Sequence, residues 1–298
     1  MNIHTWLNKN TSDLHGKTVA VTGSTGGLGQ ALCAHLASLG ASLILMDRNA
    51  ARSEALRDAL IRQYHVPVRC IGADMADFSS VRRATSELIV AAPDVLICNA
   101  GAYSIPRCTL DTGYDNVFQI NFVSPYYMIS TLLPTLRQTG GKAVIVGSIA
   151  HNYSKTDPED IDFSTRSAAS KVYGNAKRYL MFALARKFAE ETEATLAITH
   201  PGISFTGITA HYPKWIFALI KHPMKIIFMK PAKASLCILK GVFERTKEGE
   251  WIGPRLFDVW GLPKKKRLHT AKEAEIKEIY QNAERIYAAL SCDDGKKY

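Results

Sequence analysis

No run of about 18 consecutive apolar residues occurs in the 298-residue chain, so no helix is expected to span a bilayer. Met1 to His15 is polar and lacks the apolar core of a secretory signal. The six cysteines (Cys33, Cys70, Cys98, Cys108, Cys237, Cys292) include no Cys-x-x-Cys pair, which argues against a zinc site or a disulfide framework. Most lie in apolar segments, as buried free thiols of a reducing compartment would, and a cytoplasmic protein is expected. Repeats, low-complexity tracts and interdomain linkers are also missing, which leaves one domain over 1–298. Acidic residues are in short supply, 27 against 37 basic, for a net charge of +10. Such a surplus suits nucleic acid, anionic lipid or an anionic small molecule.

What is present is an alternation. Near-continuous apolar runs occur at Thr18–Thr22, Leu43–Met46, Val68–Gly72, Val95–Cys98, Ala143–Val146 and Thr195–Thr199. Runs of this kind suit strands covered on both faces. Between them the period is helical, as in Leu28, Leu32, His35, Leu36 and Leu39 before Gly40. Strand-helix alternation predicts an α/β fold, a single-domain Rossmann fold with a doubly wound parallel sheet. After Pro201 the pattern changes. Residues 213–229 are aromatic and aliphatic, interrupted by Lys214, Lys221 and Lys225, and are read as a cap on the sheet edge and ligand cleft, with an ordinary buried helix pair broken at Pro223 as the alternative. A charged helical tail is expected over 264–298, opening with Lys264-Lys265-Lys266-Arg267.

Two local patterns carry chemistry. Thr22-Gly23-Ser24-Thr25-Gly26-Gly27-Leu28-Gly29 joins the first apolar run to the first helical one. There, Gly23, Gly27 and Gly29 serve a tight turn, close approach of the backbone to a phosphate, and close helix-strand packing. N–H groups at the helix start can then bind a pyrophosphate. Asp47 ends the second strand-like run, where a carboxylate can take both ribose hydroxyls of NAD and repel the extra phosphate of NADP. Arg48 follows and could pair with that phosphate instead, or be a solvated surface charge. The second pattern is Tyr173 with Lys177, four apart and so on one helix face. An ammonium there should lower a phenol pKa that is about 10 in a free peptide, the tuning required of a general acid or base. Taken singly, the tyrosine could be packing and the lysine a solvated charge.

Together these residues resemble the short-chain dehydrogenase/reductase family over roughly residues 15–210. The T-G-x-x-x-G-x-G pattern stands at 22–29, with Ser24, Thr25 and Leu28 completing the cofactor turn. Asp74, with Met75 beside it, falls at the acidic position that contacts adenine in that family. Asn99, Ala100 and Gly101 match the N-A-G segment beside the cofactor ribose, and Pro201, Gly202 and Thr206 match the turn bordering the nicotinamide. Asn121, Ser148, Tyr173 and Lys177 fall at the catalytic positions. Between Ser148 and Tyr173 lie 24 residues, about twice the gap in many members. The segment Gly147–His151 and the insertion after it are similar to the retinol dehydrogenase-like branch, and the resemblance makes 203–230 an apolar C-terminal substrate lid.

The resemblance implies hydride transfer between a nicotinamide and the carbinol or carbonyl carbon of a bulky apolar alcohol, ketone or aldehyde, steroid-, retinoid- or lipid-like. NAD(H) is favoured as cofactor, with NADP(H) as the alternative. Tyr173 would transfer the proton and Lys177 stabilise the phenolate and hold the cofactor's ribose. Ser148 would stabilise charge on the substrate oxygen, and Asn121 would anchor a proton-relay water. No metal is called for. Other readings on the same fold are a silent cofactor sensor or a membrane-surface interaction protein. Peripheral membrane contact through 213–229 is expected to be open to this chain, as is a homo-oligomer. Nucleic acid is not an expected partner, because Lys264–Arg267 lacks stacking aromatics nearby.

Overall fold

The computed structural model describes residues 2–202, 229–268 and 271–292. Thr206, most of the 203–230 lid and the membrane-contact segment proper lie outside the described residues, as does the end of the tail.

The strands are β1 Thr18–Thr22, β2 Ser42–Asp47, β3 Val68–Gly72, β4 Val95–Cys98, β5 Lys142–Val146, β6 Thr195–Thr199, β7 Glu250–Leu256 and β8 Trp260–Arg267. They form one sheet in the order β3-β2-β1-β4-β5-β6-β7-β8. Pairing is parallel as far as β7, and β8 returns antiparallel. The order turns back between β1 and β4, which makes the carboxyl ends of those two strands the place where a ligand crevice opens in such sheets.

The helices are α1 Ile3–Asn10, α2 Gly27–Ser38, α3 Ala50–Tyr64, α4 Phe78–Ala91, α5 Asn116–Phe118, α6 Ser124–Thr139, α7 Ala169–Lys187, α8 Pro231–Ala234, α9 Leu236–Phe243 and α10 Glu273–Cys292. Their starts are set locally. Asn49 accepts from Arg52 N–H at 2.9 Å, and Asp77 accepts from Ser79 and Ser80 N–H at 3.0 and 3.2 Å. Each such cap is worth about 1 kcal/mol.

Alternate strand residues feed two cores. Val19, Val21, Leu43, Leu45, Val144 and Val146 face α1, α2 and α9, while Ala20, Ile44, Met46, Ala143 and Ile145 face α4, α6, α7 and α10. Full burial of each large aliphatic side chain contributes about 1.5–3 kcal/mol, so two covered faces secure the sheet.

Three elements differ from the sequence expectation. The polar N-terminus contains α1, whose Trp6 is buried in the core and whose cap Asn2 accepts from Thr5 N–H at 2.8 Å. Residues 250–267 form a hairpin that extends the sheet. Lys264–Arg267 therefore belong to strand β8 and not to the helical tail, which begins at Glu273.

Candidate active site

The glycine-rich turn follows β1 as the sequence suggested. Gly23 has φ +63°, a conformation that favours glycine. A Cβ on Gly29 would stand 2.2 Å from the Gly23 carbonyl oxygen, so only glycine lets α2 start this close to the turn. Gly26, the N-cap of α2, supplies no side-chain hydrogen bond. The first N–H groups of α2 are thus left for an anion such as a pyrophosphate, and the residues present fit a dinucleotide.

Asn99 ties the neighbouring crevice wall to this turn. Its Nδ2 donates to the carbonyls of Thr22 and Gly23 at 3.0 and 3.1 Å, and Ala100 N–H donates to Thr22 Oγ1 at 3.0 Å. A Cβ on Gly101 would lie 2.8 Å from Asn121 Oδ1 and 3.6 Å from Lys177 Nζ, so this loop, Asn121 and Lys177 converge. Asp74 Oδ1 accepts from Ala76 N–H at 2.9 Å, and the Met75 carbonyl accepts from Ser124 Oγ at 2.7 Å. Leu28 and Gly27 lie at the accessible start of α2, whereas Ser24 is fully enclosed. Pro201 is buried, and Gly202 has φ +77°.

At the end of β2 the carboxylate is already engaged. Thr25 N–H and hydroxyl both donate to Asp47 Oδ2, at 2.9 and 2.8 Å. Arg48 is exposed. Arg52, in the first turn of α3, donates to the Thr25 carbonyl at 3.0 Å. Sequence reasoning passed over Arg52; its signal was a basic residue three places after the helix-capping Asn49.

The candidate catalytic positions come together across the end of β5, α7 and a π-helical turn, Gln119–Val123, between α5 and α6. Such turns concentrate at functional sites. Asn121, fully buried there, donates to the carbonyls of Ala102 and Val117, both at 2.8 Å, and accepts from Ala102 N–H at 3.3 Å. Ser148 directly follows the first residue beyond β5 and caps a 3-10 turn, Ile149–Tyr153, its Oγ accepting from Ala150 N–H at 3.1 Å. The Ser148 side chain lies close enough to the Tyr173 phenol to favour its ionised form.

Lys177 is buried, and its Nζ donates to the Val146 carbonyl at 2.9 Å, 5.6 Å from the Tyr173 ring centroid. Burial pushes Lys177 down to about 8. Burial also pushes Tyr173 up to about 12, opposed by the Ser148 hydrogen bond and reinforced by Tyr103. The expectation that the ammonium lowers this phenol therefore needs correcting. Desolvation governs both groups here, because burial penalises phenolate and ammonium alike. At neutral pH this leaves a protonated phenol able to donate and a lysine still mainly cationic.

The insertion between Ser148 and Tyr173 forms a wall beside them. Phe163 packs in a small cluster with Val117, Val172, Ile105 and Tyr173. Arg107 fastens the wall, donating to the carbonyls of Phe163 and Arg166, each at 2.9 Å, and pairing with Asp115. Tyr103, which sequence reasoning missed although it lies two residues beyond Gly101, meets the Tyr173 ring edge-on at 5.3 Å.

The short chain dehydrogenase family model matches residues 17–215. The chain belongs to the short-chain dehydrogenase family. Within it, the likeness is to the retinol dehydrogenase-like branch. Retinol dehydrogenase 14 of Homo sapiens is 31% identical over 218 residues, covering 66% of this chain and 65% of that protein. The chain thus spans under two thirds of that relative's length.

Among solved structures, this short-chain dehydrogenase is similar to an uncharacterized protein from Mycobacterium paratuberculosis, with a TM-score of 0.72 and 23% identity over 95% of this chain and 96% of that one. It is also similar to L-sorbose reductase from Gluconobacter frateurii, solved with NADPH and L-sorbose, with a TM-score of 0.59 and 19% identity over 80% and 97% of the two chains. These two likenesses establish the fold. All six cysteines are free, and buried Cys98, beside Lys177 in charge influence, is pushed up to about 12 by desolvation.

Proposed function

We propose that this protein is an NAD(P)-dependent oxidoreductase acting between the CH–OH and carbonyl forms of a bulky apolar alcohol, ketone or aldehyde. The observation that carries the reading is the meeting of Ser148, Tyr173 and Lys177 beside the carboxyl ends of the central strands. A pure cofactor sensor or a membrane-surface protein has no chemical use for that set. The apolar character of the substrate is supported by the wall of Ile105, Phe163 and Tyr103 near the phenol, and by the resemblance to a protein named for retinol.

The nicotinamide would supply or accept the hydride. Held by the α2 start, Asp47, Asp74, Asn99 and the Pro201–Gly202 turn, it would meet a substrate whose oxygen lies toward Ser148 and Tyr173. In reduction, Tyr173 Oη donates the proton that the nascent alkoxide needs, and in oxidation it takes that proton back. Ser148 Oγ hydrogen-bonds the same oxygen and stabilises charge developing on it. Lys177 keeps a cation close to the phenol, and Asn121 secures the loop around Ala102 that borders this path.

Tyr173→Phe is expected to fold and to bind NADH or NADPH while losing at least about two decades of rate. The assay is conversion of all-trans-retinal to retinol, followed by chromatography. A variant that turns over like the wild type would sink the assignment.

For the cofactor, NAD(H) remains the leading reading, because a carboxylate at the end of β2 repels a 2′-phosphate. NADP(H) is favoured by a specific observation: Asp47 Oδ2 is committed to Thr25, while Arg48 and Arg52 stand at the same strand end.

A further inference from the structure

Behind Ser148 lies a buried aromatic cluster that the chemistry above leaves unused. His151 belongs to the 3-10 turn capped by Ser148 and is fully enclosed. Its backbone N–H donates to the Ser148 carbonyl at 3.2 Å, and its ring Nδ1 hydrogen-bonds the same oxygen. A carbonyl oxygen can only accept, so Nδ1 must carry the hydrogen and Nε2 a bare lone pair. Nε2 is buried and has no hydrogen-bond partner among the described residues.

Two rings fix that imidazole, and a third backs one of them. Trp251, from β7, meets it edge-on at 5.4 Å and 83°, and Phe182, from α7, does so at 6.2 Å and 72°. His200 stacks on Trp251 at 5.2 Å and 10°, and its Nε2 donates to the Asp258 carbonyl at 2.9 Å. The turn after β5, the end of β6 and the late strand β7 are thereby held in one cluster.

We propose that His151 is a positioning residue for Ser148. Its neutral Nδ1–H form holds the serine's carbonyl, and with it the turn that aims Oγ at the Tyr173 hydroxyl. The Oγ's own hydrogen bond, from Ala150 N–H, lies within that turn and so moves with it. Displacement of a catalytic group by about 1 Å costs on the order of a hundredfold in rate, so a small relaxation of the turn is enough to matter.

Protonation would break the arrangement. It would place a second N–H with no acceptor in an aromatic pocket, beside the Arg178 guanidinium, which itself donates to the His151 carbonyl at 3.2 Å. The other titratable groups facing the ring are His200 and Asp258, whose carboxylate is paired with Lys266 at 2.8 Å. Glu275 is paired with Arg178 on the far side. Burial, with Arg178 adding to it, lowers the imidazole's pKa and keeps it neutral.

The kinetic arm of the test rests on the oxidoreductase reading, and a spectroscopic arm does not. His151→Leu removes the donor and roughly keeps the volume, while His151→Asn retains an N–H near the Nδ1 position. With all-trans-retinal and NADH as probes, His151→Leu is expected to lose about tenfold or more in kcat, with KM for NADH within about twofold. His151→Asn should recover most of that loss. Wild-type turnover in His151→Leu would overturn the proposal, as would an asparagine variant no better than the leucine one.

Long-range proton–nitrogen NMR of the wild type reads the tautomer directly, without a substrate or a variant. A neutral Nδ1–H ring for His151 between pH 6 and 8 is the expected result. An Nε2–H tautomer or a doubly protonated ring in that range would overturn the proposal even if retinal is not a substrate and even if the variants fail to fold.

Discussion

His200 lies between the face of Trp251 and the carbonyl of Asp258, and burial pushes its imidazole down to about 4, with the Asp258 carbonyl and carboxylate opposing the shift. The unfolded chain would protonate the same side chain near 6.5. Between those values the unfolded state binds more protons, so stability rises with pH through the window and is lost on acidification. The full effect is of order 3 kcal/mol, one pKa unit being worth 1.36 kcal/mol. His151, lowered in the same direction, adds to the slope. Chemical denaturation of the wild type from pH 4 to 7 should show that acid loss. His200→Gln should flatten it while lowering stability at neutral pH, because the stacking on Trp251 goes with the ring. An unchanged slope in the variant would mean that other groups govern acid unfolding.

Among elements, the last helix matters most to the catalytic one. Arg178 on α7 is buried and pairs through two nitrogens with Glu275 on α10, both contacts at 2.6 Å. Asn282 of α10 donates to Tyr179 at 3.1 Å, and Lys187 reaches Glu284 at 2.8 Å. Removing the carboxylate leaves a guanidinium enclosed without its counter-charge, which costs several kcal/mol in buried pairs. Glu275→Ala should therefore lower stability by about 3 kcal/mol, the low end of that range because Glu275 is partly exposed. Equilibrium urea unfolding measures it, and a change under about 1 kcal/mol would show the pair to be solvated. The six parallel strands were legible because strands covered on both faces must be apolar throughout. The β7–β8 hairpin was not. It pairs Pro254 with Pro263 and carries Lys264, Lys265 and Lys266, residues that a central strand excludes and an edge strand tolerates, where they also discourage edge-to-edge association. Helix α1 escaped notice for a related reason, since one buried tryptophan in eight otherwise polar or partly exposed residues gives little periodic signal. At the candidate site, spacing put Tyr173 and Lys177 on one helix face, but it could not show that burial would raise the phenol and lower the ammonium, because desolvation depends on neighbours remote in sequence.

At the scale of the whole molecule, the candidate cofactor crevice sits at the carboxyl ends of β1 and β4, where the strand order reverses, and ligand binding there should stabilise both halves of the sheet together. A nicotinamide dinucleotide at about 100 times its dissociation constant should add about 2.7 kcal/mol to unfolding. Parallel thermal-shift titrations with NADH and NADPH are expected to favour NADH. A larger shift with NADPH would transfer the deciding role to Arg48 and Arg52, and no shift with either would remove the dinucleotide from the account. The docking of α10 on α7 has a consequence for biosynthesis. A chain emerging from the ribosome presents the glycine-rich turn, Ser148, Tyr173 and Lys177 long before Glu275, Asn282 and Glu284 arrive to cover the same helix. Until then only the part of α7 that α10 covers is bare, and the Glu275 carboxylate has yet to reach Arg178. The nascent protein should therefore present Ser148, Tyr173 and Lys177 before their helix is fully packed, and complete that packing only once α10 has been translated and docked.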